Sequence, residues 1–556
     1  MVTLTRRRVL QAGATSGALA IWPTALLFDW PRLQGRPVFS AGTTLESTIG
    51  MRAGPAYRQL RLREGEAAEL REDLARGRRG REDRREGVGV LVQVSDLHVT
   101  DAQHPLRFEY LDRINQVGHR PGEFLGLHGT NALVSRINGL DGGPWTGRRI
   151  DAVVSTGDNT DNQSRNELDW LLGVLAGGVV RADSGSLDGY EGVAASGHRE
   201  YWQPESTRRD AFKDRGFPVV HGLLGAATRP FIAPGLDVPW VLTMGNHDDV
   251  AGGMLGNRQY VEDWSLGDRK IFSSHGDVTY RLASMLKGVR AGDDAREMLA
   301  SIVSSGRTRT VHADPRRAPF TGADYLAALR DPRYVGAGPV GHGYAEDADP
   351  DHLYFTYRAS ELVTVISLDT TNQAGGAEGS IGSGQLAWLE RQLTTLTDQY
   401  VVVLSHHPSG SMRNLAEDPR FPGEQRHGDD ELRRVLHRHP QVVAWVNGHT
   451  HRNDITPHRH DEAKRSFWEI NSASHTDAPQ QARVIEVARN GDGTISLFTT
   501  MIDADAPLVA DPDDLSPAGL ASYYRELAFN DRPWHARAGR RRDRNTELLL
   551  RDPLPA

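Results

Sequence analysis

Residues 88–98 read VGVLVQVSDLH. An apolar, β-branched run ends there in Asp96-Leu-His98. In an extended chain, residues two apart share a side, so the strand delivers a carboxylate and an imidazole to one point. Four later stretches repeat the design: VVSTGDNTDN at 153–162, VLTMGNHDD at 241–249, VVVLSHHPS at 401–409 and AWVNGHTHRN at 444–453. Each is an apolar run that stops at a cluster of Asp, Asn or His. Singly, a strand-end His is more often a hydrogen-bonded structural residue than a ligand, and Gly-Asp is an ordinary turn. Five such clusters in order are not explained that way.

The segments between the runs set the fold class. NALVSRINGL (131–140) and NELDWLLGVLAG (166–177) have amphipathic helical spacing, and IDAVVSTGD (150–158) lies between them as a strand. Alternating strands and helices predict an α/β fold with a largely parallel sheet. From 352 onward HLYFTYR, LVTVISLDT, YVVVLSHHP, ELRRVLHRH, QVVAWVNGHTH, SFWEINSAS, ARVIEVARN and TISLFTTMI predict a strand-rich second half, with GQLAWLERQL as an amphipathic helix. Two long stretches, about 178–236 and 250–350, interrupt the pattern; the second holds possible helices AREMLASIV and GADYLAALR. Loops of that length are usually functional or structured in their own right, and both are expected to wall a site.

The composition narrows the chemistry. The 556 residues carry a formal charge of −8 and no cysteine, which excludes disulfides, thiolate nucleophiles and Cys-ligated zinc. No basic block argues for nucleic acid as the partner; RAGRRRDR at 537–544 reads as a solvated patch. A metal must therefore sit on His, Asp, Asn or Glu. Parallel strands converge at their carboxyl ends, where α/β proteins place ligands. The five strand ends together supply Asp96, His98, Asp158, Asn246, His406, His449 and His451. Such a mixture of imidazole, amide and carboxylate suits two divalent or mixed-valence ions (Mn, Fe, Zn or Co) better than Ca or Mg. Two ions about 3.5–4 Å apart can share one carboxylate.

The termini read differently. Residues 1–30 hold Arg6-Arg7-Arg8 ahead of the weakly apolar QAGATSGALAIW, which resembles a twin-arginine export signal. That expectation makes the protein exported, secreted or bound to the cell envelope, with the twin-arginine machinery as a partner. Residues 31–88, including the charged run EGEAAELREDLARGRRGREDRREG, are expected to be a solvated linker. The main domain is expected over 89–505, and 506–556 as a peripheral tail despite the amphipathic LASYYRELAF.

The ordered set DLH, GDNTD, GNHD, HHP and GHTH resembles the calcineurin-like metallophosphoesterase superfamily over about 89–178, 238–249 and 352–500. The resemblance implies a four-layer α/β/β/α sandwich, two mixed sheets flanked by helices, with a dinuclear centre at the sheet edge. It implies that Asp96, His98 and His451 bind one metal, that Asn246, His406 and His449 bind the other, and that Asp158 bridges them. His407 would be a neighbour rather than a ligand. His247 would protonate the leaving oxygen after attack by a metal-bridging hydroxide, with Asp161 orienting it; the competing reading of Asp161 is a helix N-cap. Asp161 stands where purple acid phosphatases carry a tyrosine ligand, and Asn162 where protein Ser/Thr phosphatases carry arginine. GDNTDN with SLDT…GQLAWLERQL is similar to the branch holding cyclic-nucleotide and glycerophosphodiester phosphodiesterases, which also contains phosphomonoesterases. The implied substrate is a small-molecule phosphodiester or phosphomonoester. A metallo-nuclease of the same fold, or a non-catalytic cell-surface binding protein with structural metals, are the alternatives.

Overall fold

The computed structural model describes residues 36–555 except 55, 113–117, 257–258, 274–295, 298–299, 302–303, 305–307 and 532–535. The expected export signal, and most of the AREMLASIV helix, lie outside the described residues. Among those described, no helix is long and apolar enough to cross a membrane.

Thirteen strands build two sheets: β1 (Glu69–Arg71), β2 (Glu86–Val94), β3 (Ala152–Ser155), β4 (Trp240–Leu242), β5 (Phe355–Arg358), β6 (Val363–Ser367), β7 (Tyr400–Leu404), β8 (Val442–Asn447), β9 (Asp454–His458), β10 (Phe467–Asn471), β11 (Gln481–Arg489), β12 (Thr494–Asp503) and β13 (Thr546–Arg551). The first sheet has the order β1-β13-β12-β11-β2-β3-β4, and the second β5-β6-β7-β8-β10-β9. In the first, β2, β3 and β4 are parallel; in the second, β6, β7, β8 and β10 are. The five motif-bearing strands, β2, β3, β4, β7 and β8, are all among these parallel strands. They read as unbroken apolar runs because both faces are covered.

The two faces divide cleanly along β7. Tyr400, Val402 and Leu404 join the core between the sheets, with Leu91 of β2 and Val363 and Val365 of β6. Val401 and Val403 face outward, onto Leu389 and Leu393 of helix Ser383–Thr395 and Leu432 and Leu436 of helix Asp429–Arg438. On the far side of the first sheet, helices Gly126–Asn138 and Arg165–Ala176 contribute Leu133, Ile137, Leu171 and Leu175. The layers are thus helix, sheet, sheet and helix, as the resemblance implies. Fully burying each Val or Leu of these strands contributes about 1.5–3 kcal/mol.

Both flanking segments depart from expectation. Residues 31–88 are not a linker: Ser47–Met51 pairs with Leu60–Glu64 as a hairpin, and β1 extends the first sheet. Residues 506–556 are not peripheral either. Strand β13 is hydrogen-bonded on both sides, between β12 and β1, and helix Pro517–Asp531 packs on helix Gly126–Asn138. The charges that suggested solvent exposure are spent on each other. Buried Glu547 of β13 takes Arg81 at 3.0 Å and Arg85 at 2.7 Å, while Arg544 meets Glu66 at 2.6 Å and Arg542 meets Asp73 at 3.1 Å. Arg71 is buried with its guanidinium 4.5 Å from the Trp468 ring centroid. The RAGRRRDR patch is therefore largely neutralised by the N-terminal acids.

Removing residues 512–556 strips an interior strand from the first sheet. Such a truncated chain is expected to be insoluble or to lack the cooperative thermal transition of the full chain; a melt matching the parent would contradict the placement of β13.

Candidate metal centre

All seven expected ligands meet where the parallel strands of the two sheets end. Asp96 and His98 follow β2, Asp158 follows β3 and Asn246 follows β4; His406 follows β7, and His449 and His451 follow β8. Five of the seven have positive φ: Asp96 at 50°, His98 at 42°, Asp158 at 51°, His449 at 68° and His451 at 53°. Among the described residues only three other non-glycine residues do so. That left-handed conformation costs about 1–3 kcal/mol per residue and persists only where the surroundings enforce it. Here the loops are zipped together: Asp96 N–H donates to the Gly157 carbonyl at 3.0 Å and His98 N–H to the Asp158 carbonyl at 2.9 Å. The glycines of the motifs permit the approach. A Cβ on Gly245 would lie 2.1 Å from the Asp158 nitrogen, and one on Gly448 2.5 Å from Asp96 Oδ2.

The imidazoles are locked by their outer nitrogens. His98 Nδ1–H donates to Asp161 Oδ1 at 2.7 Å, His406 Nδ1–H to the Thr156 carbonyl at 2.8 Å and His451 Nδ1–H to Asp477 Oδ2 at 2.6 Å. Acceptor-only partners fix the proton on each Nδ1, so Nε2 points inward and offers its lone pair whenever the ring is neutral. The Asn246 amide is oriented likewise: its Nδ2 donates to the Gly253 carbonyl at 3.1 Å, leaving Oδ1 inward.

What those lone pairs face is each other. His98 Nε2 lies 3.2 Å from His451 Nε2, and His451 Nε2 lies 3.3 Å from Asp96 Oδ1. On the other side His406 Nε2 is 3.0 Å from Asn246 Oδ1 and 3.3 Å from His449 Nδ1. Asp158 Oδ2 sits between the groups, 3.5 Å from His98 Nε2 and 3.2 Å from His406 Nε2. Such a convergence is stable only with positive charge inside it: without metal, Asp158 pushes the His406 pKa up to about 9 against its burial, and that of His451 is raised likewise by Asp96, so protons stand where metal ions would bind. The residues fit two metal ions, with Asp158 at the junction. The carboxylates are ready to ligate. Burial alone would raise Asp158, but His406 and His247 hold it well below the ordinary carboxylate range; Asp96 is lowered against its burial by His451.

His407, though close to His406 and His449, is otherwise engaged. Its Nδ1 meets the Thr370 hydroxyl at 2.9 Å and its Nε2 the Ala377 carbonyl at 3.1 Å. His247 is different again. Its side chain is 22% exposed against 3% for His98, and Nδ1–H donates to the Asp161 carbonyl at 2.8 Å. Burial works against its protonation, yet Asp158 and Asp161 push its pKa up to about 9. Asp161 is not the helix N-cap: Ser164 holds that position on helix Arg165–Ala176, with its backbone N–H donating to Glu167 at 3.4 Å.

Above the ligands lies a cavity of 530 Å³, lined in part by Arg107, Phe108, Leu111, Arg120, Met254, Glu378 and Arg537. The two insertions were expected to form these walls. Among the described residues, 178–236 contributes none, and 250–350 only Gly252 and Met254. The insertions instead buttress the segment after β2. Arg317 and Ser184, one from each insertion, meet on Asp101 at 3.1 and 2.7 Å, and buried Lys270 binds Glu109 at 2.8 Å.

Sequence reasoning missed Asp248, Asp477, Arg107, Arg120 and Glu123. Asp248 accepts from Gly245, Asn159 and Thr160 and so ties the β3 and β4 loops together. Asp477 had a readable signal, since it closes the polar stretch after β10 just as the ligands close theirs. The arginines and Glu123 lie in a segment without periodicity and gave none.

Two facing mixed sheets with this motif order at their joined edges are the arrangement that the resemblance to calcineurin-like metallophosphoesterases implies. No family model matches the chain. It is 27% identical over 189 residues to glycerophosphodiester phosphodiesterase GpdQ of Enterobacter lignolyticus (strain SCF1), a match covering 32% of this chain and 63% of the relative. A dimetal phosphatase from Danio rerio aligns over 75% of this chain and 100% of its own, at 13% identity and a TM-score of 0.33. A purple acid phosphatase, PPD1, from yellow lupin (Lupinus luteus) seeds aligns over 74% and 51%, at 10% identity and a TM-score of 0.30. Those two scores are too low to decide anything about this chain.

Gly448→Ala tests the packing of the site. The added methyl displaces Asp96 or Ser95, so bound metal is expected to fall below that of the parent while the far-ultraviolet dichroism is retained. Unchanged metal content by mass spectrometry would show that the close approach does not matter.

Proposed function

We propose that the chain is a dinuclear-metal phosphoesterase acting on small-molecule phosphoesters, with Asp96, His98, His451 and Asp158 around one ion and Asn246, His406, His449 and Asp158 around the other. The observation that carries this is the pair of converging lone-pair clusters joined at Asp158, directly beneath a cavity into which His247 opens. When bound, two divalent ions supply charge stabilisation for the phosphoryl oxygens and lower the pKa of the attacking water; manganese, iron and zinc all suit these donors.

The chain's own groups do the rest. Water adds its oxygen to phosphorus as the bond to the leaving oxygen breaks. The leaving oxygen keeps the bonding pair and takes a proton from His247 Nε2, and the proton shed by the water passes to solvent. With Nδ1 tied to the Asp161 carbonyl, His247 directs Nε2 elsewhere, beside Gly253, where a Cβ would sit 2.4 Å from it. A non-catalytic metal protein has no use for such a proton donor. A nuclease would want an open basic groove, whereas the basic run at 537–544 is spent on Glu66 and Asp73. The match to a phosphodiesterase favours a diester over a monoester as the substrate.

The assay is hydrolysis of an aryl phosphodiester beside the matching monoester, by manganese-loaded protein. Diester turnover is expected to dominate. His247→Ala should lower it by about 10²–10⁴-fold with metal content kept, while Asp158→Ala should lose both. Equal metal loss in the two variants would remove the proton-donor role from His247, and no turnover of either ester would count against the enzyme reading.

We also propose export in the folded state through the twin-arginine pathway, supported by Arg6-Arg7 and the weakly apolar stretch behind them. Replacing Arg6, Arg7 and Arg8 by Lys is expected to leave the protein in the cytoplasmic fraction of a producing bacterium; unchanged export would refute it.

A further inference from the structure

Asp161 serves two imidazoles with one oxygen. Its Oδ1 accepts from His98 Nδ1 at 2.7 Å and lies 3.2 Å from His247 Nδ1. Its Oδ2 takes Arg107 Nη1 and, at 3.3 Å, the Thr100 hydroxyl. The carboxylate therefore sets the ring that faces the metal centre, while the ring that faces the cavity is held by the backbone carbonyl of the same residue at 2.8 Å with Oδ1 close beside it.

Arg107 is in turn held from behind. Its Nε and Nη2 donate to the two oxygens of Glu123 at 2.9 and 2.8 Å, a parallel two-point contact between side chains only 6% and 2% exposed. Such a fork has one orientation, and in that orientation the remaining Nη1 points at Asp161. All three guanidinium nitrogens are engaged by carboxylates, so Arg107 reaches the reaction through Asp161 rather than by gripping a substrate. Glu123 is fixed as well: its Oε2 also accepts the Arg120 backbone N–H at 3.0 Å. A buried arginine with two carboxylate partners is costly to assemble and unnecessary for packing alone. Lysine, a compact point charge, supplies the charge without the fork that fixes its orientation.

We propose that Arg107, clamped by Glu123, is a positioning residue for phosphoester cleavage: it fixes Asp161 so that His247 is aimed at the leaving oxygen and His98 at the metal centre. This rests on the phosphoesterase reading above. It has a consequence that general destabilisation lacks. In the step concerned, the bond from phosphorus to the leaving oxygen breaks and His247 Nε2 gives that oxygen its proton. A nitrophenolate departs without needing the proton, whereas an alkoxide needs it.

The experiment compares two diesters at saturating manganese, one with a nitrophenyl and one with a simple alkyl leaving group. Parent, Arg107→Ala, Arg107→Lys and Glu123→Gln are assayed side by side, and manganese loading is followed by mass spectrometry across a range of free metal. Arg107→Ala is expected to lower kcat on the alkyl ester by about 10–100-fold, with a much smaller loss on the nitrophenyl ester and KM nearly unchanged. Half-loading should need about 10–100-fold more free manganese, and Arg107→Lys should recover part of each effect. Equal losses on both esters, or no loss on either, would overturn the proposal, as would unchanged loading. If Arg107→Ala does not fold, Glu123→Gln, which keeps the side-chain volume, carries the same comparison. A parent that turns over neither ester would defeat the phosphoesterase reading instead, and the loading curves would still decide whether Arg107 acts on the metal centre.

Discussion

Everything at the active edge follows from one electrostatic constraint: imidazole nitrogens, an amide oxygen and carboxylates are held facing one another at 3.0–3.5 Å. Such a cluster needs protons or metal ions inside it, so the protein must hold its geometry from outside. Three devices do this. Acceptors behind His98, His406 and His451 fix their tautomers. Glycines at 245 and 448 let backbone and carboxylate approach at distances no Cβ would allow. Backbone bonds between the β2 and β3 loops then hold ligands in the left-handed conformation. The strain is local, and the sheets bear it.

The sheets can bear it because their cores are dry and continuous. The apolar alternation along β7 places one set of residues between the sheets and the other under the outer helices. Each motif therefore begins from an immobile strand end. The outer support arrives from farther away in sequence: Asp161 and Asp477 orient His98 and His451, and each is paired with an arginine from the segment after β2. Arg537 adds a second guanidinium to Asp477 at 3.1 Å, so the C-terminal segment also reaches the metal centre.

The fold and the convergence of the seven candidate ligands were legible because the same signal recurred. A β-branched run closing on Asp, Asn or His marks a buried parallel strand delivering polar atoms to a sheet edge, and that rule needs no knowledge of distant contacts. The same rule applied to FWEINSASHTD would have reached Asp477. The termini were misread for a different reason. Local charge density signals exposure only when the partners are local, and Arg81 and Arg85 pair with Glu547 more than 460 residues away. Likewise Arg107 and Glu123 lie in a stretch with no periodic pattern, and their roles exist only once β2, β3 and β10 bring Asp161 and Asp477 to the same edge. Segment boundaries drawn from composition fail at such long-range pairs.

The most direct measurement is a crystal structure of the manganese-loaded protein with anomalous diffraction at the metal edge. Two anomalous peaks about 3.5–4 Å apart, one on each side of Asp158 and touching His98 and His406 respectively, are what this account requires. A single peak, or peaks that leave Asp158 out of contact, would contradict it.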